Sequence, residues 1–149
     1  MNESIGTIPV IVVIMFFIVA VSGYIAFTVN YSKAFKAKSE IINLIQQNKN
    51  VVDDSLESKT YERLKVVQYS ADKKYVSNNC EIDNYQPVGN QGWCYKVITT
   101  SGDPTKCGKN DKKYIKIKTF ISIDVPVLKE LFSNLSLFVV EGSTKSTTC

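Results

Sequence analysis

The amino-terminal part of the chain is apolar without interruption. Residues 4–32 carry no charge, and every residue from 8 to 21 is apolar. A helix over the uncharged run would be about 43 Å long, which exceeds the roughly 30 Å hydrocarbon core of a bilayer. A signal peptide has a shorter apolar core that follows basic residues and precedes a small-residue cleavage site. The run therefore predicts a helix that can span a membrane.

The helical pattern continues beyond the apolar run. Residues 33–47 contain no glycine or proline, and apolar side chains recur there at helical spacing: Phe35, Ile41, Ile42, Leu44 and Ile45. This spacing is typical of an amphipathic helix with one apolar face. We predict a single rod that is apolar all round in its first two-thirds and on one face thereafter. The chain then divides into an N-terminal helix, residues 1–48, and a globular domain, residues 49–149.

The first half of the domain gives weaker signals. Acidic residues at the start of 53–65 suit the first turn of a helix. Residues 69–79 are polar and are predicted as loop or short strand. Residues 80–94 contain two glycines, a proline and two asparagines, which is typical of a loop.

The second half of the domain predicts strands. Residues 93–100 and 135–141 have β-forming composition, and residues 114–125 alternate strictly, which predicts a strand with one buried face. A short helix over 127–132 and a polar tail over 142–148, held only by Cys149, complete the chain. We expect an α+β fold in which an antiparallel sheet of about three to five strands packs its apolar face on the apolar face of the helix.

The four cysteines are Cys80, Cys94, Cys107 and Cys149, and the chain has no histidine. A zinc site would need all four at irregular spacings, so we expect no metal. Two disulfides and an oxidising exterior fit a small domain beside a membrane segment. Chain order suggests the pairs Cys80–Cys94 and Cys107–Cys149, although four cysteines allow three pairings. Four buried free thiols are the alternative.

Composition argues against two function classes. The net charge is +4, the basic residues are scattered, and Arg63 is the single arginine, so no nucleic-acid partner is expected. Without histidine the commonest general base is missing, and no nucleophile elbow, P-loop or dinucleotide fingerprint is present. We expect neither an enzyme nor a cofactor.

Glu3 is the first candidate functional residue. A carboxylate at the start of a helix is favoured by the helix dipole, and that alone would explain it. If many copies pack their apolar helices together, however, Glu3 would lie in apolar surroundings and need a cationic partner. The α-amino group of Met1 in a neighbouring copy is the nearest candidate, and such a pair would set the axial register.

Pro9 and Gly23 are the other two candidates for assembly. Pro9 suits the first turn of a helix that begins near it; in an earlier-starting helix it would kink or unwind residues 5–9. Gly23 belongs to a patch of small residues with Ala20, Ser22 and Ala26. Such patches let apolar helices approach closely.

The run Glu3-Ser4-Ile5-Gly6-Thr7-Ile8-Pro9, followed by unbroken apolar sequence, resembles the N-terminal signature of tight-adherence (Tad) pilus pseudopilins of the TadE-like kind. In that branch of the type IV pilin superfamily, a glutamate stands six residues before a proline at the head of the apolar helix. The resemblance covers about residues 3–48. It implies a homopolymeric subunit of an extracellular pilus-like filament, which waits in membrane lipid until pilus assembly machinery extracts it.

The resemblance leaves proteolytic processing open. Family precursors carry a short basic leader that a prepilin peptidase removes, and their glutamate is then the fifth mature residue. In this sequence no leader is visible and the glutamate is third. We therefore expect either a processed form or a subunit that is matured differently.

Two other interpretations compete with the filament subunit. One is a single-pass anchored surface domain, such as an adhesin or an envelope-complex subunit, that never polymerises and contacts its partner through the 80–94 loop with Tyr85 and Trp93. The other is a cytoplasmic domain, because Lys33, Lys36 and Lys38 follow the span and the positive-inside rule places such residues inside. The cysteines favour the exterior, and we predict a cell-surface or filament location.

Overall fold

A computed structural model of the chain describes residues 3–71, 73–102, 108, 111–121 and 138–148. It has a long helix, two shorter helices and an antiparallel sheet, which confirms the predicted α+β class. In chain order the elements are α1 (Glu3–Gln47), α2 (Asp54–Val67), α3 (Lys73–Ile82), β1 (Gln86–Pro87), β2 (Trp93–Thr99), β3 (Lys112–Phe120), β4 (Val139–Ser143) and β5 (Thr147–Thr148).

Helix α1 is 45 residues long and passes through Pro9 without a break. The expectation that the helix begins near Pro9 is therefore wrong, and residues 5–9 are not unwound either. Proline removes one N–H, so the carbonyl of Ile5 loses its usual partner four residues on. One missing hydrogen bond does not end the helix, because apolar helix-forming residues continue on its C-terminal side.

The last third of α1 packs on the sheet through one face, as predicted. The buried residues of that face are Ala34, Ala37, Ile41 and Ile45. Phe35, which we expected on this face, is exposed and lies under the Lys38 ammonium at 4.0 Å. Small residues occupy this part of the buried face instead, and they let the helix backbone approach the sheet. Thr119 Oγ1 lies 3.1 Å from the Ala34 carbonyl oxygen.

Helix α2 confirms the weak helical prediction and owes its start to a side-chain cap. Asp53 is extended, and its carboxylate accepts a hydrogen bond of 2.7 Å from the Leu56 N–H. This satisfies one of the free N–H groups at a helix start and holds the pKa of Asp53 below its usual range. At the other end Gln68 adopts a left-handed conformation that stops the helix.

The sheet has five strands in the order β1-β2-β3-β4, with β5 also paired to β3. Strand β3 pairs with β2 over the full length of β2, from Trp93 opposite Thr119 to Thr99 opposite Lys113. The predicted strand over 93–100 is thus confirmed. The predicted strand over 114–125 begins earlier, at Lys112, and its described part ends at Phe120. The predicted helix over 127–132 lies outside the described residues.

The chain after the third predicted strand is not a loose tail. Strand β4 extends to Ser143, and Thr147–Thr148 pair with the start of β3. The Asn50 side-chain amide donates to the Lys145 carbonyl at 2.9 Å. The prediction that Cys149 alone holds this segment is therefore wrong, because backbone pairing and polar contacts already hold it to the domain.

Residues 73–82 form helix α3, where a loop or short strand was predicted. The sequence prediction failed because the buried apolar pattern of this helix is short. It consists of Val76 and Cys80, four residues apart, which are both buried against the sheet. The 80–94 segment is likewise more than a loop, since it includes the last turn of α3 and strand β1. The predicted disulfide between Cys80 and Cys94 is present and ties α3 to β2; Cys107 and Cys149 lie outside the described residues.

Helix α3 also changes the burial of β3. The alternation predicted that Lys118 and Phe120 face solvent, but both are buried. Phe120 packs in a second core cluster with Val76, Cys80 and Tyr85. One face of the sheet therefore meets α1, and the C-terminal half of β3 is covered on the other face by α3.

Candidate functional site

The most unusual surface of the molecule is the first part of α1. Every side chain from residue 8 to 22 is exposed, and most of these are large and apolar, with Phe16 75% exposed. This helix is long and apolar enough, by length and composition, to cross a membrane. A soluble monomer rarely exposes a contiguous apolar surface of this kind, so a partner outside the described chain must cover it.

Phe27 marks the point at which α1 meets its own domain. Its ring lies 5.1 Å from that of Phe138 in an edge-on arrangement, and it packs against the cluster of Ala34, Ile121 and Val140. The exposed apolar segment is therefore residues 8–26. At 1.5 Å per residue it measures about 28 Å, close to the roughly 30 Å hydrocarbon core of a bilayer.

The hydroxyl groups near the end of this segment are satisfied within the helix itself. Ser22 Oγ donates to the Ile18 carbonyl at 2.7 Å, and Thr28 Oγ1 lies 2.9 Å from the Ile25 carbonyl oxygen. A polar group without a partner is costly in an apolar environment. These internal hydrogen bonds let the segment enter lipid, or a core of packed helices, without leaving Ser22 or Thr28 unpaired.

The three predicted assembly residues all lie on α1. Glu3 is in its first turn, with its side chain outside the described part. Pro9 and Gly23 lie within the exposed apolar segment, and Gly23 and Ala26 are half-buried. No residue of another chain is present to contact them, so their roles in assembly stay predictions.

A cluster of charged side chains lies on the α3 side of the sheet. The Lys118 ammonium pairs with the carboxylate of Asp83, lies 3.2 Å from Glu141 Oε1, and sits 4.4 Å from the Tyr85 ring centre. Burial lowers the pKa of Lys118, but its hydrogen bonds to the two carboxylates outweigh this and raise it overall. The same hydrogen bond lowers the pKa of Asp83. These contacts tie the end of α3, at Asp83, to strands β3 and β4 of the sheet.

The contact surface that we expected for a non-polymerising domain is not available. Trp93 is fully buried, with its indole N–H donating to Gln91 Oε1 at 3.2 Å, and Tyr85 is buried as well. The prediction that these two aromatic residues form an exposed contact loop is wrong. Trp93 begins a central strand and packs with residues of α1. The prediction failed because the glycines and asparagines around Trp93 are typical of a loop.

Within the described residues no three potential metal-ligating side chains of histidine, cysteine, aspartate or glutamate cluster together. In comparisons with known proteins, no family model, curated protein or solved structure matches this chain. Its function must therefore be inferred from its own geometry.

Proposed function

We propose that the chain is the structural subunit of an extracellular pilus-like filament that polymerises through its apolar N-terminal helix. The observation that carries the proposal is the division of one continuous helix between two environments. The side chains of residues 8–22 are all exposed, whereas one face of the last third of α1 is buried on the sheet. The Glu3–Pro9 signature at the head of the helix adds a resemblance to Tad pseudopilins.

A simple membrane anchor needs the exposed apolar segment but does not need its rigid extension into the domain. In this chain the same helix continues without a break from the apolar segment to the core residues Ile41 and Ile45. The orientation of the domain is thus fixed relative to the apolar segment. That is the requirement for a helical polymer in which the apolar segments form the core and the domains the outer surface.

The proposed mechanism exchanges lipid for protein around the apolar segment. In the membrane, helix association depends on close packing, which the small residues around Gly23 permit. Once pilus assembly machinery has extracted the subunits, each apolar segment is buried among identical ones. In water each Å² of buried apolar surface contributes about 25 cal/mol, so a released filament would resist dissociation.

The alternative is a single-pass anchored surface domain that stays monomeric. It is favoured by the length of the exposed apolar segment, about 28 Å, which alone suits one bilayer crossing. In both alternatives the unassembled chain resides in a membrane, and the Cys80–Cys94 disulfide favours an exterior domain.

Replacing Glu3 by alanine tests the filament proposal at one residue. If Glu3 pairs with the α-amino group of a neighbouring copy, Glu3→Ala should lower filament yield about tenfold or more, since 1.4 kcal/mol corresponds to a factor of ten. Electron microscopy of material shed from expressing cells measures the yield. Membrane insertion, followed by flotation with vesicles, should not change.

Glu62→Ala is the matched control, because Glu62 is an exposed glutamate on α2. It should leave both filament yield and insertion unaltered. If Glu3→Ala and Glu62→Ala give equal filament yields, Glu3 has no role in assembly. If the parent chain itself yields no thin filaments with one repeating subunit, the monomeric anchor is the better account.

A further inference from the structure

A cleft of about 570 Å³ opens between α1 and the C-terminal end of α2. Its α1 wall includes Val29, Ser32, Lys33 and Lys36, and its α2 wall includes Val66 and Gln68. The cleft begins beyond the exposed apolar segment, at the level where α1 first contacts the domain. It therefore combines two cations with apolar side chains and three neutral polar ones, those of Thr28, Ser32 and Gln68.

The two lysines of the cleft have no carboxylate partner among the described residues. Both ion pairs found among the described residues belong to Lys118, so neither Lys33 nor Lys36 is neutralised by a carboxylate there. In the same part of the chain the side chains of Ser32 and Gln68 make no hydrogen bond. The cleft therefore presents two ammonium groups that no carboxylate of the described residues pairs with, beside the Ser32 hydroxyl and the Gln68 amide. A phosphate group has the opposite charge and the oxygen acceptors that suit these donors.

The end of a helix normally repels anions because its last carbonyl groups are free. At the end of α2 this repulsion is reduced, since the carbonyls of Leu64 and Lys65 accept hydrogen bonds of 3.0 Å from the N–H groups of Tyr69 and Gln68. The two lysines on the opposite wall then dominate the charge of the cleft.

The depth of the cleft matches that of a phospholipid headgroup. If residues 8–26 fill the hydrocarbon core, Val29 lies about 5 Å and Lys33 about 10 Å beyond its edge along the helix. Helical side chains lean toward the N-terminus, and lysine extends along apolar surface with its ammonium in the polar layer. The lysine ammonium groups would thus lie back toward the phosphate level, with Val29 nearest the acyl chains.

Val66 gives the cleft its second apolar feature. It is 77% exposed at the end of α2, and with Val29 it forms an apolar wall below the lysines. An exposed valine at this depth can contact the glycerol and upper acyl chain of a lipid. The cleft therefore offers both the cationic and the apolar contacts that suit an anionic phospholipid.

We propose that this cleft binds one anionic phospholipid, with Lys33 and Lys36 on its phosphate and Val29 and Val66 against its glycerol region. The site rests on the membrane insertion that the proposed function includes, and it does not require polymerisation. It holds for the single subunit in either leaflet.

Native mass spectrometry of the full-length chain, released from micelles as single copies, tests the site directly. The chain is titrated with phosphatidylglycerol and, separately, with phosphatidylcholine. We expect one tightly bound phosphatidylglycerol, and about thirtyfold weaker binding in the Lys33→Gln/Lys36→Gln variant, from about 1 kcal/mol for each lysine near an anionic surface. The control Lys49→Gln/Lys59→Gln removes the same charge from exposed positions away from the cleft and should bind like the parent.

A second variant separates a cleft from diffuse attraction. Ser32→Phe fills the cleft without changing any charge, and it should weaken phosphatidylglycerol binding as the double lysine variant does. Unchanged binding in Ser32→Phe, or equal loss in the control pair, would overturn the site. If millimolar inorganic phosphate displaces the lipid, the occupant is free phosphate and the lipid assignment is wrong. Flotation of each variant with vesicles checks insertion independently, so failure of the site is distinguishable from failure of the filament proposal.

Discussion

Replacing Trp93 by alanine should lower the free energy of unfolding of the domain by about 3–5 kcal/mol, the usual cost of deleting a buried tryptophan side chain. Trp93 is fully buried in the core cluster that joins α1, α2 and the sheet, where it packs with Ile41, Leu56 and Ile117. Its loss opens a cavity at the junction of all three and leaves Gln91 without its indole donor. We expect α1 to lose its fixed orientation on the domain when this core is lost.

Pulse proteolysis in urea measures this change on the detergent-solubilised full-length chain, because it reports the folded fraction without using tryptophan fluorescence. Tyr61→Ala is the control, since it removes an aromatic ring that is exposed on α2 and contacts only Lys65 among the interactions described. It should change the free energy of unfolding by about 0.5 kcal/mol or less, so the urea midpoint should shift little. Equal midpoints for Trp93→Ala and the parent would contradict the burial of Trp93.

Removing the disulfide should lower the free energy of unfolding by about 3 kcal/mol in the chain-entropy model, because the bond closes a loop of about 15 residues in the unfolded chain. The bond joins Cys80 on α3 to Cys94 on β2 at a sequence separation of 14. Among the described side chains of α3, Val76 is the other one that packs in the second core cluster. In the Cys80→Ala/Cys94→Ala variant we therefore expect α3 to open before the rest of the domain.

Hydrogen exchange at α3, together with pulse proteolysis, measures both parts of this prediction. Asn78→Ala alters an exposed position of the same helix and serves as the control. In the double alanine variant the amides of α3 should exchange faster than those of β2. Parent-like stability in that variant would show that α3 is held by its packing and by the Lys118 cluster alone.

The elements predicted best are those in which the spacing of large apolar side chains indicates which face is buried. The apolar run and the stripe through Ile41 and Ile45 were sufficient to define α1, and the alternation around Ile115 and Ile117 was sufficient to define β3. In these segments the periodicity of large apolar residues is unambiguous. The exposed apolar segment, which is the proposed assembly surface, was therefore located from sequence.

Other elements depend on packing that no short pattern contains. Ala34 and Ala37 are fully buried on the sheet side of α1, yet alanine favours a helix wherever it stands, so its presence does not mark the buried face. Helix α3 has one valine and one cysteine at helical spacing, and its burial covers Lys118, which alternation had placed in solvent. Tertiary context decided these positions, and local propensity is weak against it.

The lipid cleft could not be predicted because its walls come from different elements. Lys33 and Lys36 were recognised as charges that follow a span, and Val66 lay just beyond the predicted helix over 53–65. The cleft exists because the turn after α1 brings α2 back alongside α1. Gln68, which follows the last residue of α2, therefore lies near Ser32. The turn at Asn50 and the cap at Asp53 set the direction of α2 relative to α1. The spacing of residues in the sequence does not predict that direction.

The central claim is that the exposed apolar segment of α1 is buried among copies of itself. It is tested most directly by placing the photocrosslinking residue p-benzoylphenylalanine at Phe16, whose ring is 75% exposed, and irradiating material shed from expressing cells. Single chains diluted to one copy per vesicle provide the control and should give lipid adducts only. We predict a ladder of covalent multimers in the shed material. Monomers with lipid adducts in both samples would contradict the filament and leave an anchored, solitary domain.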